Sequence, residues 1–254
     1  MKQLKTVKRR EFMAKAGAAA LSMTILRPEL VRGTQANSKV RVGLVGCGGR
    51  GGWIAGLFKK HGGYEVTAAA DYFKERVDEV GAALAIPESR RFTGLSGYKR
   101  LLDSGVDAVV IETPPYFHPA QAAAAVDAGA HVYLAKPVAV DVPGCDSIAR
   151  SGKKASAKNR AFLVDFQTRT HPSFIEAVMR VHQGGLGDLL FGEAIYHAES
   201  PWEQWYDLIR SEPSNPESRL RAWGLDRALS GDMITEQDIH AIDVMSWIMR
   251  TPPL

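Results

Sequence analysis

From residue 39 onward, short and nearly continuous apolar runs alternate with stretches of helical periodicity. Residues 40–45, 64–70, 106–112, 131–134 and 161–166 read as strands buried on both faces, with a shorter strand near Arg91-Phe92. Between them, residues 53–60, 73–84, 97–102, 118–128 and 146–158 read as helices, and Gly129 closes the fourth. Strands alternating with helices of this length predict right-handed βαβ units. The expected fold class is therefore α/β, a doubly wound parallel sheet.

After Gln167 the texture changes. Residues 172–182 read as a helix, 189–197 as a longer strand, 201–216 as an aromatic loop and 233–249 as a strongly amphipathic helix. A first domain is expected over 37–168 and a second over 169–254. One strand and two helices cannot close a core. The chain therefore reads as a piece truncated at its C-terminus. Its first domain is expected to fold by itself, its later part to be aggregation-prone, and the whole not to be a competent enzyme alone.

Hydrophobic residues make up 45% of the 254 and charged residues 24%, which excludes disorder, collagen and coiled coil. No apolar run reaches the ~18 residues of a membrane span. The formal net charge is +4, but residues 1–36 hold eight Lys/Arg against two Glu, and the remainder holds 24 basic against 26 acidic residues. The body is near neutral, so the electrostatic case for binding nucleic acid disappears. The basic leader reads as an address: Lys8-Arg9-Arg10-Glu11-Phe12-Met13 resembles the twin-arginine export signal. An Ala/Gly-rich apolar stretch follows, with a small-residue cleavage site at Thr34-Gln35-Ala36. This predicts passage through the twin-arginine export machinery and a periplasmic or otherwise exported location. The plainer alternative is an amphipathic surface helix with a basic end. Only Cys47 and Cys145 are present, too few for a disulfide framework, and both are expected to be small buried residues and not a bridge.

Gly46-Cys47-Gly48-Gly49-Arg50-Gly51 satisfies G-x-G-x-x-G between an apolar strand and a helix. Asp71 follows twenty residues after Gly51, at the end of the next strand. Glycines there permit a tight turn and close approach to a pyrophosphate, which rests on the helix N-terminus. A carboxylate at Asp71 accepts from ribose hydroxyls and repels a 2′-phosphate, so NAD is expected over NADP. The plain alternative for Asp71 is a cap for the following helix.

Three more stretches occur in order: Thr113-Pro114-Pro115-Tyr116-Phe117-His118, Ala135-Lys136-Pro137, and Glu236-Gln237-Asp238-Ile239-His240-Ala241-Ile242-Asp243. With the glycine turn they resemble the Gfo/Idh/MocA oxidoreductases, the group of glucose–fructose oxidoreductase and inositol dehydrogenase, over residues 39–250. The resemblance implies a Rossmann domain followed by an α+β domain with a large, mostly antiparallel sheet, of which only the start is present. It also implies a homo-oligomeric full-length form, and Lys136 and His240 beside the nicotinamide. Thr113, Pro114 and His118 are placed at the cofactor, with Arg169, Tyr196 and Asp243 bordering the substrate pocket. Two departures stand out: Ala135 replaces the usual Glu before Lys-Pro, so that Glu's contacts are absent, and Pro115 replaces a frequent Asn.

The residues themselves support a similar reading. Lys136 lies at the carboxyl end of a parallel strand, where ligands bind in open α/β sheets, and could orient or deprotonate a hydroxyl. Its plain alternative is a lysine snorkelling from a strand end. Glu236, His240 and Asp243 share one helix face at i, i+4 and i+7. His240 is the candidate general acid/base, with Glu236 or Asp243 holding its tautomer. No further ligand cluster supports a metal. Trp202, Trp205 and Tyr206 could stack on sugar faces, but at helical spacing core or subunit contacts are slightly favoured. The implied function is a nicotinamide-dependent oxidoreductase acting on a sugar, cyclitol or related polyol. The alternatives are an NAD-dependent glycosidase using transient oxidation, or a non-catalytic cofactor- or sugar-binding protein.

Overall fold

Branched aliphatic side chains crowd the first strand, and Val42 and Leu44 are completely buried. A strand covered on both faces needs helices above and below it, and the chain supplies them in alternation. The computed structural model describes residues 39–197 and 202–251. The leader, with its twin-arginine motif and cleavage site, lies outside the described residues. From Val40 onward the chain forms one compact unit.

Six strands, β1 (Val40–Val45), β2 (Tyr64–Asp71), β3 (Arg91–Thr93), β4 (Ala108–Ile111), β5 (His131–Ala135) and β6 (Phe162–Asp165), form one sheet in the order β3-β2-β1-β4-β5-β6. Every neighbouring pair is parallel. The expected doubly wound α/β fold is present. Its helices are α1 (Gly49–His61), α2 (Lys74–Leu84), α3 (Gly97–Asp103), α4 (His118–Asp127) and α5 (Val142–Ala157). Two apolar cores result, one per face: Leu101, Ile111, Leu134 and Ile148 pack on one side, and Val42, Leu44, Ile54 and Val77 on the other. The order reverses between β1 and β4, which opens a crevice at their carboxyl ends. Helix α5 begins a turn earlier than its periodicity suggests, because Asp141 accepts from the Gly144 amide at 2.7 Å and Pro143 sits in the first turn.

The chain beyond β6 departs further from expectation. Helix α6 (Pro172–His182) matches its predicted bounds. Residues 189–197 form no strand: no described segment pairs with them, and Leu190, Phe191 and Ile195 stand 93%, 81% and 67% exposed. An apolar pattern favours a strand only where a sheet edge receives it. The expected aromatic loop instead holds short helices, α7 (Tyr206–Ser211) and α8 (Pro216–Arg221), followed by α9 (Arg227–Ser230). Asn215 caps α8 and Asp226 caps α9, each by accepting two backbone amides. The last helix runs from 232 to 249 as predicted, but Ile234–Asp238 is a π-helical turn ahead of α10 (Ile239–Met249).

Candidate cofactor and catalytic site

Gly46, at the end of β1, has φ +96° and donates its amide to Ala70 O at 2.8 Å. A Cβ at Gly51 would lie 1.9 Å from Gly46 O, so both positions require glycine for the turn to close. Above Gly48 and Gly49 the space is open: a Cβ at Gly48 would meet only Arg76 Nη1, at 3.9 Å, and one at Gly49 would meet nothing within 4 Å. Helix α1 has no side-chain cap and no acidic residue in its first turn. An unfilled glycine cradle at a helix N-terminus, bordered by a guanidinium, fits a dinucleotide's pyrophosphate.

Asp71 ends β2, and its two oxygens accept from Cys47 N at 2.7 Å and Phe73 N at 2.9 Å. It thus ties the glycine turn to the next loop while facing a cleft also lined by Gly46, Gly48, Thr113 and Pro114. Carboxylate oxygens have capacity for further donors, so both readings of Asp71 stand together. Cys47 is buried, which pushes its thiol up; Cys145 is exposed, against the expectation of a buried residue, and neither forms a disulfide.

A second cleft of about 660 Å³, within the size range of small-molecule sites, runs from the glycine turn to Lys136, Glu236 and His240. Arg50 lines it and pairs with Asp165 and, at 3.2 Å, with Glu112. Lys136, just beyond β5, donates to the Glu236 main-chain oxygen and, at 2.7 Å, to Glu236 Oε1. Both side chains are largely buried, and burial pushes the Glu236 carboxyl up against the opposing pull of Lys136. His240 is 8% exposed and stacks on Tyr196 with ring centroids 5.5 Å apart. Burial, reinforced by Lys136 and Arg50, lowers its pKa, so the ring is neutral at neutral pH. Its Nδ1 has no partner among the described residues.

Several expected roles change. Neither Glu236 nor Asp243 holds the His240 tautomer: Lys136 captures Glu236, and Arg169 takes Asp243 in a bidentate pair at 2.9–3.0 Å. Arg169 and Asp243 therefore tie the turn after β6 to α10 and line neither cleft. Tyr196 does reach the site, through a groove it shares with His240. His118 is wholly buried, with Nδ1 2.8 Å from Pro137 O and Nε2 2.7 Å from Thr113 O. It brackets the loops that carry Thr113 and Lys136 instead of meeting the cofactor cleft. Burial takes its pKa down to about 4 against the pull of those carbonyls. Trp202 and Trp205 line the second cleft, and Trp202 also packs edge to face on Trp223.

Sequence reasoning missed Glu112. Its side chain is 1% exposed, Oε1 has no partner among the described residues, and burial raises its pKa to about 7 despite Arg50. The available signal was a carboxylate ending an apolar run at the ligand edge of the sheet. Because Ile111 pairs with Leu134, Glu112 lies one strand across from Ala135. A carboxylate thus stands beside the position where the resemblance had suggested one was lost.

The sheet order, the glycine cradle and Asp71 define a dinucleotide-binding α/β protein. The model of the oxidoreductase family with an NAD-binding Rossmann fold, Gfo/Idh/MocA, matches residues 40–180, and the chain belongs to that family. Among curated relatives, a glycosyl hydrolase family 109 protein of Shewanella pealeana is 30% identical over 169 residues, 65% of this chain and 36% of that protein. An alpha-N-acetylgalactosaminidase of Shewanella oneidensis is 29% identical over 169 residues, 65% of this chain and 36% of that protein. This chain thus spans well under two thirds of those relatives' length. Among solved structures, the WlbA dehydrogenase of Bordetella pertussis, in complex with NADH and UDP-GlcNAcA, is 26% identical with a TM-score of 0.67, covering 83% of this chain and 59% of that one. The scyllo-inositol dehydrogenase of Lactobacillus casei, with NAD(H) and scyllo-inositol, is 22% identical with a TM-score of 0.63, covering 84% and 56%.

Proposed function

We propose that this chain carries the cofactor site and proton-transfer groups of an NAD-dependent oxidoreductase acting on a carbohydrate or polyol. The observation that carries this reading is the convergence of Lys136, Glu236 and His240 in the cleft that begins at the glycine cradle. NAD held there by the cradle and Asp71 supplies a hydride acceptor for a substrate carbon. His240, neutral and lining the same cleft, takes the hydroxyl proton. Lys136 orients the oxygen, and Glu236 fixes the ammonium in place. Trp202 and Trp205 offer apolar faces to a sugar ring.

A second reading is net hydrolysis of a glycoside through transient oxidation, favoured by the names of the curated relatives. Both share the same first proton transfer. Glycosides with a chromogenic leaving group, incubated without added NAD, are to be run beside a screen of sugars and polyols for NADH formation. Leaving-group release supports hydrolysis, and NADH formation supports net oxidation. Made in a complete homologous protein, the changes equivalent to Lys136→Ala and His240→Ala should each lower either activity ~10²-fold while sparing NAD affinity. Near-normal turnover in His240→Ala refutes its role. We further propose export of the folded, cofactor-loaded protein, tested by fractionating cells that express Arg9→Lys/Arg10→Lys.

A further inference from the structure

The adenosine end of the dinucleotide cleft has two walls. Asp71, Tyr72 and Phe73 form one at the carboxyl end of β2, and Leu220 and Trp223 form the other. Trp223 also lines the second cleft, together with Trp202 and Trp205. Residues 202–225 therefore border the whole run from adenosine end to catalytic end, although nothing in their sequence marks them as cofactor residues.

This segment is fastened to the rim beside Asp71. The Tyr72 hydroxyl donates to Glu217 Oε1 at 3.1 Å. Arg221 donates to Glu75 Oε1 at 2.6 Å, and its guanidinium carbon lies 4.0 Å from the Phe73 ring centroid. The segment is also internally braced. Arg219 pairs with the α9-capping Asp226 at 2.5 Å, and Trp202 packs so closely on Gly224 that a Cβ there would lie 2.0 Å from the indole. Trp202 and Trp223 meet edge to face at 5.7 Å.

We infer that residues 202–225 are the second wall of the NAD site and set the rate at which cofactor leaves. A dinucleotide bound along the glycine cradle can depart only after the Glu217–Tyr72 and Arg221–Glu75 contacts part. The inference rests on NAD binding in this cleft and is independent of which reaction follows.

The test is the dissociation of NADH from the 254-residue protein, followed by stopped-flow fluorescence during a chase with excess NAD. Arg221→Ala and Trp223→Ala should each release NADH at least ~10-fold faster, with the association rate little changed. Tyr72→Phe removes only a hydroxyl and leaves the packing intact; it should release NADH a few-fold faster. Release from the unmodified protein should also quicken with salt, and that dependence should shrink in Arg221→Ala, because an exposed ion pair is screened. Unchanged release in Tyr72→Phe together with either larger substitution overturns the inference. So does a loss of affinity confined to slower association.

Discussion

Replacing Glu112 by Gln should change how stability responds to pH. In the folded chain this carboxyl titrates at about 7 instead of its ordinary 4.5, because burial outweighs the attraction of Arg50. Between those two values the folded state binds more protons than the unfolded state, so stability falls as pH rises. The full loss, reached above pH 7, is about 3 kcal/mol, and about 2–3 kcal/mol of it accrues between pH 5 and pH 8. Glutamine keeps the volume and removes the titration, and Arg50 retains Asp165 as its partner. Urea denaturation without cofactor, at half-unit steps across this range, should give similar stabilities for the two proteins near pH 5. At pH 8 the variant should be more stable by about 2 kcal/mol. Parallel profiles would refute the assignment of a buried, proton-holding carboxyl at this position.

Gly51→Ala puts a methyl 1.9 Å from Gly46 O, between two backbones that cannot yield. It should cost ~3 kcal/mol or more and abolish NAD binding, whereas Gly49→Ala, with open space around it, should stay within ~1 kcal/mol of wild type; thermal melts and NAD titration check both. Asp71→Ala frees the Cys47 and Phe73 amides and removes the carboxylate facing the adenosine end. NAD should then lose its advantage over NADP in paired titrations, and unchanged selectivity would reassign Asp71 to a purely structural role.

The βαβ half was legible because its information is local. Apolar runs mark strands buried on both faces, and the cluster from Gly46 to Gly51 announces a turn whatever follows it. What the sequence could not display were partnerships between distant groups. His118 spends both ring nitrogens on main-chain carbonyls, which no residue letter encodes. Glu236 and Asp243 lie on the helix with His240, yet their strongest partners, Lys136 and Arg169, come from strand ends about a hundred and about seventy residues earlier. The apolar residues over 189–197 predicted a strand, because a pattern records what a segment could bury and not whether an edge waits to receive it. Glu112 was overlooked because its charge reads as the end of a strand, and only the register against β5 places it beside Ala135.

The π-helical turn at Ile234–Asp238 makes the site sensitive to chain length in a way no substitution would reveal. A π turn holds about one residue more than an α turn, and it lies between Asp232, where the helix begins, and His240. Removing a single residue there would let the turn relax to α geometry. Because the turn holds about one residue more than an α turn, that relaxation absorbs the deletion, and the helix beyond it keeps nearly its phase. Glu236 lies inside the turn and would lose its aim at Lys136 as the spacing changes, while His240, beyond it, would stay stacked on Tyr196. Their relative aim is thus written in a count of residues as much as in their identities.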